Sequence, residues 1–287
     1  MENIVEPVID RDAFFDILDI LDSAQWTNDL RHELMDLWDL CNLPDERSLL
    51  KELINDFFVL DTRKAQQACD GINEYINSLN EEPSSSYIVA VADVGKSDGS
   101  LAGLQMLRQR NKPTEDWESQ YISHIPDLIE KVVNPSNIFI FDDFIGSGNK
   151  IILKYRWLLK CLSEKKVSID EYNISIISFS AMAFGITNIE KTLGIQVYTY
   201  NTFHKSITGK NAPSVSKNKI DIMLRIEKKL NANYNNRKLE KYSLGFNQSE
   251  ALYYWEGYSC PNNVFPIFWW PNLKNNGTYR TILTRTN

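Results

Sequence analysis

Between residues 11 and 80 the apolar positions recur at helical spacing. Phe14, Ile17, Leu18 and Leu21 fall on one face, and Leu34, Leu37, Trp38 and Leu40 on another. Leu49, Leu50, Leu53, Ile54, Phe57 and Phe58 form a third stripe. These stripes predict a helical region over 1–83 whose apolar faces pack into a core or offer a docking surface to a partner. Glu81-Glu82-Pro83-Ser84-Ser85-Ser86 interrupts the pattern and marks a domain boundary. From Tyr87 to about residue 205 the rhythm becomes strand–helix alternation. Buried-type strands are predicted at 87–92, 137–141, 174–179 and 195–200. Helices are predicted at 101–110, 125–133 and 150–165, with another running through Glu190. Residues 111–124 are polar and uneven and predict a mobile loop, and Ser180-Ala181-Met182-Ala183 a small-residue loop. Such alternation implies a parallel sheet with right-handed crossovers. Residues 206–287 form an aromatic C-terminal extension, expected to pack on the α/β core, with a helix at 219–230. Its Phe265, Phe268, Trp269 and Trp270 read as packing residues, or as a platform on which a planar base could stack. No internal repeat is visible.

One stretch carries more chemistry than any other. Residues 138–150 read IFIFDDFIGSGNK. A short apolar strand ends in two adjacent carboxylates, Asp142 and Asp143, followed by a turn poor in side chains, Gly146-Ser147-Gly148. A helix then starts at once, with Ile151, Ile152, Tyr155, Leu158, Leu159 and Leu162 along one face. Free backbone N–H groups and the dipole at such a helix start attract phosphate. The glycines let the backbone approach a ligand closely. Carboxylates at the C-terminal end of a parallel strand can accept hydrogen bonds from ribose hydroxyls or help place Mg²⁺ through water. The plain alternative is a βα corner with a solvated acidic pair.

This stretch resembles the phosphoribosyl pyrophosphate (PRPP) signature of type I phosphoribosyltransferases. In that signature four apolar residues precede an acidic pair, two more residues and a hydroxyl-rich turn. Asp142, Asp143, Ser147 and Gly148 match it. Gly146 stands where the signature has Thr or Ser, and Lys150 where it closes with Thr, so two hydroxyl donors are missing. The resemblance implies that Asp142 and Asp143 are the catalytic residues, holding the ribose hydroxyls and, indirectly, Mg²⁺. It implies that Ile145, Gly146, Ser147, Gly148 and Asn149 wrap the 5′-phosphate. It also gives the loop after the first strand, Val94, Gly95, Lys96 and Ser97, the role of pyrophosphate binding, with charge from Lys96.

The same loop supports a rival. Ala90 to Ser97 reads AVADVGKS, one residue short of the P-loop pattern. Strand 138–143 would then be the acidic strand of a degenerate nucleoside triphosphatase. Against this, Ala90 lies inside the first strand, and the Gly-Ser-Gly turn with its helix is left unused.

In phosphoribosyltransferases a nucleophile attacks C1 of PRPP as pyrophosphate leaves, and catalysis is largely positioning and charge neutralisation. No covalent enzyme intermediate is required. That agrees with a chain in which no nucleophile–base pair stands out and in which His32, His124 and His204 occupy unrelated contexts. The FDDFIGSGN stretch, the GKS loop and the SEAL…PNNVFPIFWWP tail together resemble phosphoribosyltransferase-like effectors of bacterial anti-phage conflict systems, including those found with retron reverse transcriptases. That resemblance implies a toxic effector acting on a nucleotide, nucleic-acid or protein acceptor. It also implies a defence-system partner, such as a reverse transcriptase with its RNA/DNA, docking on the helical region. A module that senses PRPP without catalysis remains a separate reading.

Composition adds bounds. The 287 residues are 43% hydrophobic, enough for a large core, and the net charge of −7 argues against non-specific nucleic-acid binding by the whole surface. Cys41, Cys69, Cys161 and Cys260 are scattered and form no CxxC pair, which predicts neither disulfides nor a zinc site and fits a cytoplasmic protein. The start MENIVEPVIDRD is acidic and does not read as a signal peptide. No apolar run approaches the ~20 residues that span a membrane.

Overall fold

A computed structural model describes residues 11–95, 98–111, 114–165 and 171–286. The chain forms two compact units. One comprises residues 1–59, 206–254 and 264–287, the other residues 60–205 and 255–263. The sequence-based bounds at 83 and 205 describe a different division, in which residues 60–83 and 255–263 lie outside the α/β region.

In the first unit, helices α1 (Arg11–Ser23), α2 (Arg31–Leu40) and α3 (Pro44–Asn55) follow the three apolar stripes, and strand β1 (Phe58–Leu60) comes next. Ile20, Leu34, Leu37, Trp38, Leu50, Leu53 and Ile54 are buried. Burying each such side chain contributes roughly 1.5–3 kcal/mol. Phe265, Phe268, Trp269 and Trp270 are all at most 1% exposed, which rules out base stacking and leaves packing. The Phe268 ring meets Phe57 edge-on at 5.0 Å, and the Trp269 indole donates to the Val264 carbonyl at 2.9 Å.

In the second unit, α4 (Thr62–Ser78) leads to strand β2 (Ser86–Ala90), α5 (Gly99–Arg110) and the single turn α6 (Thr114–Trp117). Then come β3 (Tyr121–Ile122), α7 (Ile125–Lys131), β4 (Ser136–Ile145), α8 (Asn149–Glu164), β5 (Tyr172–Met182), α9 (Ala183–Leu193) and β6 (Val197–Phe203). Back in the first unit lie α10 (Pro213–Glu227) and the small pair β7 (Asn233–Tyr234) and β8 (Arg237–Lys238); β9 (Tyr253–Trp255) pairs with β1.

The strands β3-β2-β4-β5-β6 form one five-stranded, wholly parallel sheet. This is the expected α/β, Rossmann-like core. Ile138, Ile140, Ile174 and Ile176 pack with Ile125 and Leu128 of α7, Ile151, Leu158 and Leu162 of α8 and Ile189 of α9. Helices α4 and α5 cover the other face. The central strands read as continuous apolar runs because helices bury both their faces.

Three local expectations change. Residues 111–124 contain a helical turn and an edge strand, with Tyr121 in register with Ile88 and Trp117 only 2% exposed. Polarity hid this segment because one buried ring and two sheet residues hold it; Lys112 and Pro113 lie outside the described residues. Ser180–Met182 continue β5, and Ala183 opens α9 directly, so the small residues are not a loop. Helix α10 starts at Pro213 rather than 219, because proline at the first helical turn is well suited to start a helix whose opening residues are largely polar.

Candidate functional site

The acidic pair does not end its strand: β4 continues through Asp142 and Asp143 to Ile145. Its partner β5 matches that length, with Asp142 opposite Ser178 and Ile145 opposite Ala181. The long strand carries the turn at 146–148 beyond the C-terminal edge of the sheet, where parallel α/β proteins place ligands.

Gly148 is the N-cap of α8, with a φ of 80° that a residue with a Cβ rarely adopts. No side chain caps this 16-residue helix, so its first N–H groups are not engaged by a capping side chain. The turn is held from α9. Asn188 Nδ2 donates to the Ser147 carbonyl at 2.8 Å and to Asn149 Oδ1 at 3.3 Å. The Gly146 carbonyl lies so close to Gly185 that a Cβ there would come within 3.0 Å of it. Ile145 is buried, so only its backbone faces the turn; Ser147 is half-buried, and Asn149 is exposed.

A third carboxylate joins the pair. Oxygens of Asp98, Asp142 and Asp143 all lie within 4.8 Å of one another. Asp98 is the N-cap of α5 and accepts from the Ser100 N–H at 3.0 Å and the Ser100 hydroxyl at 2.7 Å. The Asp143 carboxylate rests on the backbone of Gly99, where a Cβ would collide with it. Lys150 spans the group: its ammonium donates to Asp98 at 2.9 and 3.2 Å and to Asp142 at 3.1 Å.

The electrostatics follow from burial and from that lysine. Burial raises Asp142 well above the usual carboxylate range, opposed by Lys150. Burial raises Asp143 as well, and the neighbouring Asp142 charge adds to the effect. Burial also disfavours ionised Asp98, but Lys150 and Ser100 outweigh it and the net shift is downward. For Lys150, burial opposes the charge and the three carboxylates overcome it, so its pKa rises. Three hard oxygen donors at this separation fit Mg²⁺ by ligand type, provided the lysine shares or vacates its place.

Of the pyrophosphate-loop residues, Val94 is exposed and Gly95 has a φ of 78° with open space around it. Lys96 and Ser97 lie outside the described residues. Asp93 in the same loop pairs with Lys154 of α8 at 2.5 Å. The fold therefore places 94–95 and 146–148 in the segments that leave two adjacent strands, β2 and β4, for their helices. His32 and His204 are exposed, and His124 Nδ1 sits 3.3 Å from Asp127 on α7. All four cysteines are free thiols. A cavity of about 350 Å³ elsewhere in the unit is lined by Asp70, Asn73, Glu74, Asn77, Gln109 and Arg110, with Arg110 already engaged by Asp70.

Sequence reasoning missed Asp98, Gly99 and Asn188, and read Lys150 only as a departure. Asp98 carried a usable signal: an Asp-Gly-Ser start just before an apolar run is an N-cap pattern.

A wholly parallel sheet with an acidic pair and a glycine-rich turn at its C-terminal edge is the architecture expected of a phosphoribosyltransferase-like α/β protein. The chain belongs to the PRTase-CE family, whose profile matches residues 36–285. Among solved structures, an orotate phosphoribosyltransferase from Aeropyrum pernix aligns at 16% identity over 47% of this chain and 68% of its own, with a TM-score of 0.32. An adenine phosphoribosyltransferase from Thermoanaerobacter pseudethanolicus aligns at 14% identity over 47% and 79%, with a TM-score of 0.28. A hypothetical protein from Neisseria gonorrhoeae with bound ppGpp aligns at 12% identity over 52% and 82%, with a TM-score of 0.34. No curated protein matches the chain. The family assignment rests on the sequence profile alone. Among the described residues no helix is long and apolar enough to cross a membrane.

Proposed function

We propose that this chain binds PRPP with Mg²⁺ at the C-terminal edge of β4 and transfers its phosphoribosyl group. The observation that carries the reading is the joining of Asp142 and Asp143 to the Gly146–Gly148 turn and the start of α8 on one long strand. In this reading the two carboxylates accept hydrogen bonds from the ribose hydroxyls. The backbone of 145–149, with the Ser147 hydroxyl, holds the 5′-phosphate. Val94, Gly95, Lys96 and Ser97 bind the pyrophosphate. An acceptor nucleophile attacks C1, the C1–O bond to pyrophosphate breaks, and pyrophosphate leaves with that electron pair. Mg²⁺, when bound, supplies charge neutralisation for the leaving group. Asp98, Asp142 and Asp143 are the residues that would hold it, directly or through water. The protein's contribution is orientation and preorganised charge.

The triphosphatase alternative has less support. Ala90, where the P-loop pattern has its first glycine, is the last residue of strand β2, and the Gly146–Gly148 turn at the start of α8 is left without a role. Titration calorimetry with PRPP and with ATP, each with Mg²⁺, separates the two. Tight ATP binding with none for PRPP overturns the phosphoribosyl reading. Asp142→Asn with Asp143→Asn should weaken PRPP binding at least tenfold, since each lost charge-assisted hydrogen bond contributes about 1.5–3 kcal/mol.

Lys150 favours a second reading, a PRPP sensor without turnover. Its ammonium already neutralises part of the acidic group. Pyrophosphate release from PRPP, screened with nucleotide, nucleic-acid and protein acceptors, decides between transferase and sensor. We further propose that the protein acts as an effector in anti-phage defence beside a partner such as a reverse transcriptase. The exposed Phe14, Phe15 and Leu18 of α1 support a docking role for the helical region. Co-purification of a reverse transcriptase that Phe14→Asp with Phe15→Asp abolishes would support this; an unchanged yield would remove α1 from it.

A further inference from the structure

Residues 255–263 belong to the second unit, though the chain on either side of them belongs to the first. Trp255 anchors this segment. Its ring meets Phe179 of β5 edge-on at 5.7 Å and stacks on Tyr258 at 4.0 Å. Cys260 is fully buried, and the segment ends at Asn263, only 7% exposed.

Asn263 lies on the phosphate turn. A Cβ added to Gly146 would come closer than 3.0 Å to its Oδ1, Cγ and Nδ2 alike, so the whole carboxamide packs against the Gly146 backbone. The φ of Gly146 is not in the left-handed region, so a side chain there is barred by Asn263 rather than by the backbone. Position 146 is also where the PRPP signature carries Thr or Ser. A hydroxyl residue at 146 would therefore displace the Asn263 carboxamide from its present place. This turn has the Asn263 amide beside the position where the signature has a hydroxyl. On the opposite flank Asn188 of α9 donates to the Ser147 carbonyl.

We propose that Asn263 is a ligand-binding residue of this site, whose Nδ2 donates to the phosphate of a 5-phosphorylated ribose where a hydroxyl at 146 would otherwise do so. The inference rests on the phosphoribosyl reading. Its chemistry is specific: a neutral amide donor stabilises a phosphate, whereas a carboxylate of the same shape repels it.

The test measures affinity for PRPP and for ribose 5-phosphate by calorimetry, with melting temperature as the check on folding. Asn263→Ala should weaken both ligands about tenfold, and the isosteric Asn263→Asp should weaken them more. Gly146→Ser alone should weaken binding because its side chain meets Asn263. Gly146→Ser combined with Asn263→Ala should return to within about threefold of the wild type, whereas Gly146→Ala combined with Asn263→Ala should not. If neither double variant recovers, yet Asn263→Asp lowers affinity at an unchanged melting temperature, the inference holds with the amide itself required. It is overturned if Asn263→Asp binds as the wild type does, if it weakens binding only together with a lowered melting temperature, or if the alanine double recovers as well as the serine double, which would mean simple space-filling. A wild type that binds neither ligand removes the PRPP reading and this inference together. A wild type that binds while the Asn263 variants match it removes the inference alone.

Discussion

At the scale of single residues, Lys150 sets the character of the site. One ammonium is shared by Asp98 and by Asp142, whose side chain is almost wholly buried. Without it Asp142, already raised by burial, rises further above its unfolded value, and Asp98 loses the charge that holds its pKa down. A carboxyl with a raised folded pKa contributes stability at low pH that is lost as pH rises. Lys150→Ala should therefore melt close to the wild type near pH 5 and well below it near pH 8. The gap should be about 1–2 kcal/mol, discounted because the lysine side chain is 43% exposed. Adding Asp142→Asn should recover part of it. Denaturation of the three proteins at both pH values checks this, and a Lys150→Ala curve parallel to the wild type would show that the lysine is not the counter-ion. The sequence named Asp142 and Asp143 because adjacent carboxylates after an apolar run are a local signal. It missed Asp98 as a third member, since only the pairing of β2 with β4 brings the start of α5 beside them.

At the scale of elements, α10 shows how a helix end is tied down from within its own unit. Glu227, its last residue, is 3% exposed and accepts from the Ser243 hydroxyl at 2.5 Å and the Leu244 N–H at 2.9 Å. Burial pushes its pKa up to about 7, against those two hydrogen bonds. The folded state thus keeps a proton that the unfolded chain releases, so stability falls as pH rises from about 4.5 through 7. Glu227→Gln keeps the shape without the charge. Its stability should vary less over this range than that of the wild type, which should lose roughly 2–4 kcal/mol from this group alone. Chemical denaturation across that range checks it. In the same unit Glu46 binds Arg225 of α10 at 2.9 Å and Lys229 at 2.7 Å. Glu46→Ala should lower the melting temperature, chiefly by taking from Lys229 its only carboxylate partner among the described residues, since Arg225 keeps Asp45 at 2.6 Å. Element type was largely legible here, because apolar periodicity survives in α1 to α3 and in the central strands. Ends were less so: β4 and β5 outran their apolar runs because Asp142, Asp143 and Ser180 are polar residues inside paired strands.

At the scale of the whole chain, ligand binding to one folded site should be visible as stability. PRPP at a hundredfold excess over its Kd should stabilise the unit that binds it by about 2.7 kcal/mol. A thermal scan with Mg²⁺ should show the shift with PRPP and lose it in the Asp142→Asn, Asp143→Asn variant. A shift that survives in that variant would place the ligand elsewhere. The sequence by itself determined the α/β class, the apolar runs of the parallel strands and the strand–acidic pair–turn–helix unit, since these depend on local periodicity and on residues adjacent in the chain. Only the tertiary structure decided that residues 255–263 belong with the α/β unit, that the C-terminal aromatics are core, and that the acidic pair is a trio bridged by a lysine. The physical reason is the same in each case. These features arise from contacts between segments remote in sequence, and the side chains concerned, Asp98, Lys150 and Asn263 among them, carry no periodic signal of their own.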